Sequence, residues 1–452
     1  MNGNGSSVER ERLLERWARY VVAAAQSGNL TGKVCQIERV YTIAGPRAGA
    51  IELYCGLKAG AMLRALRGSD GATLRQFVPW DFAGEPQVFM AGRYVRCEAG
   101  WPDRYAEREI RLEDLGEHPH SGWQWIAGKS EGGATIVPGL SDRTPHFLFA
   151  GETGSGKSVA LRAAVLQLLR DPENKIVLLD GKYGESLRQV ERLAGVVGPC
   201  AVERAEMHAA LGWAAAEMRQ RYEAGYSKGR VIVVFDEFQE AAEDEVVVGL
   251  LRKLCAQGRA AAVHCLLATQ HPTIEAFGDA SIRRNLVGKV ALRVGDADAS
   301  RVAVGGASPR ADKLLGAGDA YNGAPGVWHR VQMAYVDDRE LDAAERGQWR
   351  FQRWPRYNPE AVGQELPEVG WSYTGDELAV SIVAAAQEEG RPSMVKRLEE
   401  AELGRPGAER AIRLLGLGRE ANGWLNRNGY AVCLSGDARS PGDSVRIVPD
   451  VW

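Results

Sequence analysis

No stretch of the 452-residue sequence approaches the roughly 18–20 apolar residues needed to cross a bilayer, so no membrane-spanning helix is expected. The first residues, MNGNGSSVERERLLERW, lack an apolar h-region. No signal peptide is therefore expected, and the cytoplasm is the expected location. Cysteine is sparse and badly spaced for a framework. The seven cysteines (Cys35, Cys55, Cys97, Cys200, Cys255, Cys265, Cys433) are odd in number and never form CxxC, which argues against paired disulfides and a zinc site. An excess of one charge is also missing. With 56 basic against 59 acidic residues the net charge is −3, so a protein that coats nucleic acid through general basicity is excluded, and any such contact must be local. Fixed-period repeats and low-complexity tracts are absent as well.

Apolar residues make up 45% and charged residues 25%, the range of folded globular domains, and the length accommodates more than one core. Residues 8–26 read as a helix. Residues 33–110 alternate short apolar runs with Gly and Pro breaks around one helical stretch from 59, the pattern of a small α/β module filling residues 1–120. The pattern changes at about residue 121. HFLFA from 146, IVLL from 176, VIVVF from 231, HCLLA from 264 and VALRV from 290 are apolar on both faces and alternate with helices, as buried parallel strands do. This second domain is expected over 121–345. A linker rich in Pro and aromatics follows over 346–373, and three helices (376–389, 393–402, 407–428) with two short strands around Tyr430 and Val445 give residues 374–452 a winged-helix-like outline.

The sharpest chemical signal is Gly151, Glu152, Thr153, Gly154, Ser155, Gly156, Lys157 and Ser158, which fit GxxxxGK[ST] between an apolar strand and a helix. Glycines there let successive backbone N–H groups curl around phosphate oxygens at a helix N-terminus. Lys157 is expected to bridge the β- and γ-phosphates of ATP, and Ser158 to hold Mg²⁺. A glycine turn matching by chance would lack that flanking strand and helix. The nearby AGKS at 127–130 does lack them: Trp123 stands where the first glycine belongs. The strand VIVVF ends in Asp236 and Glu237. One carboxylate for the metal and the next as base is the division hydrolysis needs, because a metal-bound carboxylate is a weak base. Asp236 is thus assigned to the Mg²⁺ shell and Glu237 to the attacking water. Gln270 ends another apolar strand and is expected beside the P-loop strand, where it can sense the γ-phosphate. Arg259, eleven residues earlier, is expected to reach a neighbouring subunit's nucleotide as an arginine finger. A strand-end turn residue and a surface arginine are the plainer alternatives for these two.

In this order the residues resemble the motor of the FtsK/SpoIIIE family of DNA translocases. HFLFAGETGSGKS (146–158) resembles its Walker A stretch and LLDGK (178–182) its Asp-Pro-Lys, with Gly181 in place of proline. MRQRY (218–222) resembles its EMERRY helix, FDEF (235–238) its Walker B, QGRAAAVHCLLATQHP (257–272) its most distinctive segment, and KLLGAGDAY (313–321) its late loop. The resemblance implies a RecA-like P-loop α/β motor that hydrolyses ATP as a hexameric ring and threads double-stranded DNA through its pore. Arg283 and Arg284 are then candidates for phosphate contacts, against the plainer reading of a solvated helix face. The basic and aromatic segment from Arg350 to Tyr357 reads first as a staple fixing the linker to its domain, with a nucleic-acid platform as the alternative. His271 departs from the family's arginine, and the tail does not align with the family's DNA-reading domain. Transfer, packaging or partition of a mobile element or chromosome is the expected role. The alternatives are a family ATPase that drives protein secretion and a single-stranded DNA coupling ATPase.

Overall fold

The computed structural model describes residues 3–30, 35–68, 72–116, 122–130, 133–182, 184, 186–225, 228–325, 327–355 and 357, with strands at 371–373, 424–427, 430–434 and 445–449. The chain forms two compact units, one of Met1–Met218 with Ser227–Pro359 and one of Arg219–Tyr226 with Glu360–Trp452.

The first unit begins with α1 (Gly3–Gln26), which lies with α2 (Ala59–Arg67) and α3 (Ala72–Arg75) on an antiparallel sheet of β1 (Arg39–Ala44), β2 (Ala48–Tyr54), β3 (Ala83–Ala91) and β4 (Tyr94–Gly100), in the order β1-β2-β4-β3. Alternation sends Ile51, Leu53, Val95 and Cys97 into a core with Leu14, Trp17, Val21, Met62 and Trp101. The apolar run at 34 yields its strand only from Arg39.

The larger sheet has nine strands: β5 (Gly128–Ser130), β6 (Thr135–Ile136), β7 (Phe147–Ala150), β8 (Lys175–Asp180), β9 (Val231–Asp236), β10 (Val263–Thr269), β11 (Gly288–Leu292), β12 (Asp319–Ala324) and β13 (Val327–Met333). Their order is β6-β5-β13-β12-β11-β7-β10-β9-β8. The five apolar runs are the parallel strands, β11 to β8. The parallel sheet expected from sequence is therefore mixed, because four antiparallel strands extend it beyond β11. These four carry no apolar run: β5, β12 and β13 contain charges or glycines and β6 has only two residues. Gly128 of the AGKS decoy belongs to β5, where a Cβ would lie 2.0 Å from the Gln332 carbonyl oxygen. Close strand approach explains that glycine.

The helices α4 (Lys157–Leu168), α5 (Arg204–Ala224), α6 (Glu245–Gln257), α7 (Ala280–Asn285) and α8 (Ala297–Val304) connect these strands, and α9 (Asp338–Ala343) follows the last of them. With β10 between the strand that precedes the P-loop and the strand that ends in Asp236, the connectivity is that of a RecA-like P-loop domain. Segment 345–357 straps onto this domain. Phe351 N–H donates to the Val197 carbonyl at 3.1 Å, Trp354 Nε1 to that of Pro199 at 2.8 Å, and Trp213 rings against Phe351 and Trp354. Those aromatic faces are spent on packing, so the staple reading holds there and the nucleic-acid platform does not.

In the second unit β14 (Trp371–Tyr373), β15 (Trp424–Arg427), β16 (Tyr430–Leu434) and β17 (Val445–Pro449) form an antiparallel sheet, in the order β14-β17-β16-β15. Residues 424–427, read from sequence as the end of a helix, are a strand paired with β16 in a tight hairpin. The remaining helices expected after 376 lie outside the described residues. Among the described residues no helix is long and apolar enough to cross a membrane.

Within the first unit a buried charge network joins the small module to the large sheet. Glu98 of β4 is 1% exposed. It accepts from Arg96 Nε at 2.7 Å, Arg330 Nη1 at 3.1 Å and Tyr321 Oη at 2.7 Å. Arg330 also grips Asp319 with two hydrogen bonds, of 3.0 and 2.7 Å. Burial alone would raise the Glu98 pKa, but Arg96, Arg330 and the Tyr321 hydroxyl win and hold it below the ordinary carboxylate range. The stability it contributes is thus present above the unfolded pKa and lost as pH falls through the folded one. Glu98→Ala should cost roughly 3–5 kcal/mol in chemical denaturation, because two guanidinium groups are left buried beside it. The acid limb of the stability profile should flatten in the variant.

Candidate nucleotide site

The P-loop bridges β7 and α4. Gly154 and Gly156 take φ of 78° and 101°, which only glycine adopts without strain. A Cβ on Gly151 would meet Ser155 Oγ at 2.5 Å. Gly156 is the N-cap of α4; no side chain caps that end and no acidic residue stands in its first turn. Ser155 Oγ is buried and has no hydrogen-bond partner among the described residues. An uncapped, acid-free helix start beside a buried, unpaired hydroxyl suits an anion.

Lys157 begins α4 and is 4% exposed. Its ammonium pairs with Asp236 Oδ1 and lies 3.0 Å from Glu237 Oε1. Ser158 Oγ donates to Asp236 Oδ2 at 3.2 Å. A hydroxyl and a carboxylate side by side form a hard oxygen pair of the kind Mg²⁺ takes, and two carboxylates against one ammonium leave a negative balance for it to offset. Glu237 sits in the left-handed region at φ 52°, a conformation a non-glycine residue holds only when its surroundings enforce it. Its Oε2 accepts from Gln239 Nε2 at 2.7 Å and from the Gln270 N–H at 3.1 Å. Gln270 follows β10, next to β7, and its Oε1 accepts from Thr153 Oγ1 at 3.0 Å. The structure therefore brings Lys157, Ser158, Asp236, Glu237, Thr153 and Gln270 together.

Glu152 turns aside to the end of β11, where its carboxylate pairs with Arg293 Nε at 2.9 Å. Spacing gave no hint of this pair. The late loop is a clasp on the P-loop: Gly318 N–H donates to the Ser155 carbonyl at 2.7 Å, and a Cβ on Gly156 would touch Gly318 N at 3.0 Å.

Arg259 is exposed on the turn Gly258–Ala261 that precedes β10, and reaches the Asp142 carbonyl at 3.5 Å. Gln270 is at the other end of that seven-residue strand, roughly 23 Å away at about 3.3 Å per residue. Arg259 is thus remote from its own P-loop. Arg283 and Arg284 close α7, within a few residues of Gly288, where β11 starts opposite Phe147. Arg284 is exposed and Arg283 half-buried. Burial and the charge of Arg283 together lower Lys289 to about 8.

A separate cluster does not fit a metal. His146, Cys255 and Cys265 bring ligand atoms within 4.8 Å of one another, all buried. However, Cys265 N–H donates to His146 Nδ1 at 3.0 Å, which leaves the imidazole proton on Nε2. A metal-bound histidine donates its other nitrogen outward instead. Burial, with His264 beside it, holds His146 down at about 3, and the hydrogen bond to Cys255 with burial pushes the Cys265 thiol up.

A profile of the FtsK/SpoIIIE family matches residues 127–229. Those residues are similar to an FtsK/SpoIIIE domain. The match contains the P-loop; Asp236, Glu237, Arg259 and Gln270 lie beyond it, at the ends of β9 and β10. The DNA translocase FtsK of Treponema pallidum is 32% identical over 245 residues, covering 48% of this chain and 30% of that protein. The DNA translocase SftA of Bacillus subtilis is 32% identical over 230 residues, covering 44% and 24%. The FtsK of Bacillus anthracis is 25% identical over 470 residues, covering 92% and 54%. The chain thus spans a quarter to about half the length of these relatives. Among solved structures, the conjugation coupling protein TcpA of pCW3 is 20% identical with a TM-score of 0.49, covering 72% of this chain and 96% of that one. The type VII secretion ATPase EccC of Thermomonospora curvata is 23% identical with a TM-score of 0.47, covering 55% and 36%.

Two variants separate binding from chemistry at this site. Lys157→Ala should abolish binding of a fluorescent ATP analogue, because it removes the buried ammonium between Asp236 and Glu237 and leaves the two carboxylates facing each other. Glu237→Gln should keep that binding while turnover falls on the order of 10²–10⁴-fold, the usual weight of a lost general base.

Proposed function

We propose that the chain is an ATP-driven translocase of double-stranded DNA that works as a closed ring, a hexamer by family resemblance, in the cytoplasm, for transfer, packaging or partition of a mobile element or chromosome. The observation that carries this is the meeting of Lys157, Asp236, Glu237 and Gln270 at the carboxyl ends of β7, β9 and β10, while Arg259 stands beyond the opposite end of β10. Bound Mg-ATP supplies the phosphoanhydride to be hydrolysed. Lys157 and the first N–H groups of α4 hold phosphate oxygens. Ser158 and Asp236 would hold Mg²⁺, which would offset phosphate charge, and Glu237 accepts the proton of the attacking water. Gln270 links the γ-phosphate position to Glu237 through its backbone N–H. A DNA substrate is supported by the names of the curated relatives, and Arg283 and Arg284 are the candidate phosphate contacts.

ATP turnover should rise when duplex DNA is added, and DNA affinity should fall with salt at a slope of about −0.9 per phosphate contact. Equal turnover without DNA would favour the secretion reading, and preference for single strands the coupling reading. Because Arg259 can act only on a neighbouring copy, Arg259→Ala alone should lose on the order of 10³-fold in turnover. Rings mixed from Arg259→Ala and Lys157→Ala subunits should recover part of the rate, since some interfaces then join an intact finger to an intact P-loop. No recovery in rings shown to contain both subunits would rule out a finger acting between subunits.

A further inference from the structure

We infer that Lys182 is a positioning residue that fixes which way the Gln270 side-chain amide faces; the inference rests on the reading of the site as an ATPase. Asp180 ends β8 in register with Asp236 of β9. Its carboxylate is 1% exposed and accepts from the Lys182 backbone N–H and from Ser186 Oγ, both at 2.7 Å. The chain therefore turns sharply at the sheet edge. Gly181 N–H donates to the Asp236 carbonyl at 2.9 Å. A Cβ on Gly181 would lie 2.4 Å from the Glu237 carbonyl oxygen, so glycine is what lets the turn lie against the two carboxylate-bearing residues. The turn sends Lys182 from the end of β8, past β9, to the end of β10. There its Nζ donates to Gln270 Oε1 at 3.0 Å, on the same oxygen that takes the Thr153 hydroxyl.

The chemistry of the donor decides the consequence. A threonine hydroxyl can donate or accept, so Thr153 alone is satisfied by either face of an amide. An ammonium has no acceptor, so the amide beside Lys182 must present its oxygen. Gln270 then keeps its N–H₂ group as the donor free for a phosphate oxygen. The Lys182 contact is solvent-exposed and adds little stability. Its effect therefore falls on turnover rather than folding.

Steady-state ATP turnover of the full chain, with thermal melting as control, tests this. Lys182→Met should lower kcat on the order of 10–100-fold, the cost of a misoriented polar group, with KM and melting temperature nearly unchanged. Lys182→Arg, which still only donates, should restore most of the rate. Lys182→Glu, which only accepts, should be at least as slow as Met. In a Gln270→Ala background Lys182→Met should cost nothing further. Parental kcat in Lys182→Met, or a further loss in the Gln270→Ala background, overturns the inference. A parental chain that turns over no ATP overturns the reading of the site, and the inference with it.

Discussion

The ammonium of Lys157, buried between Asp236 and Glu237, is the contact on which the rest of the site depends. A buried lysine is tolerated only when paired, and here its partners come from a strand that is not adjacent to its own. The P-loop follows β7 and the carboxylates end β9, with β10 between them. The ion pair can form only if the parallel strands stack in this order and register. That same order puts Gln270 between the P-loop and Glu237 and brings Lys182 over from β8. Glu237's left-handed backbone is a local cost that this packing offsets.

Two further constraints keep the P-loop in place. On one side the Glu152–Arg293 pair ties it to the end of β11. On the other, Gly318 holds the Ser155 carbonyl. Gly318 in turn accepts from Met333 N–H at 2.8 Å, and Arg47 of the small module reaches Gln332 Oε1 at 2.8 Å and the Ala317 carbonyl at 3.3 Å. The small module and the P-loop are therefore joined by hydrogen bonds through a single loop, beside the buried Glu98, Arg330 and Asp319 network. Such networks are costly to bury and specify one geometry when every member is satisfied.

The apolar parallel strands and the P-loop were legible in the sequence because each carries its own signal: continuous apolar runs for buried strands, and a fixed glycine spacing for a phosphate loop. Asp236, Glu237 and Gln270 were legible because strand ends are marked by the switch from apolar to polar. The antiparallel extension was not, since β12 and β13 carry Asp319, Asn322 and Arg330 inside, and alternation is broken when a strand faces a polar interior. Glu152–Arg293 and Lys182–Gln270 were hidden because residues over 80 positions apart meet only through the sheet order. The linker aromatics were legible as a staple because large rings beside prolines bury area at little conformational cost. The strand Trp424–Arg427 was hidden because its apolar positions also fit the end of a helical pattern.

On the proposed function, ATP hydrolysis at these strand ends moves the protein along duplex DNA. Displacement of a labelled third strand from a triplex at the far end of a linear duplex measures that movement directly. Displacement should require ATP and disappear with Glu237→Gln, although that variant still binds the nucleotide. ATP turnover by the parental protein on the same duplex, with the third strand left in place, would contradict translocation.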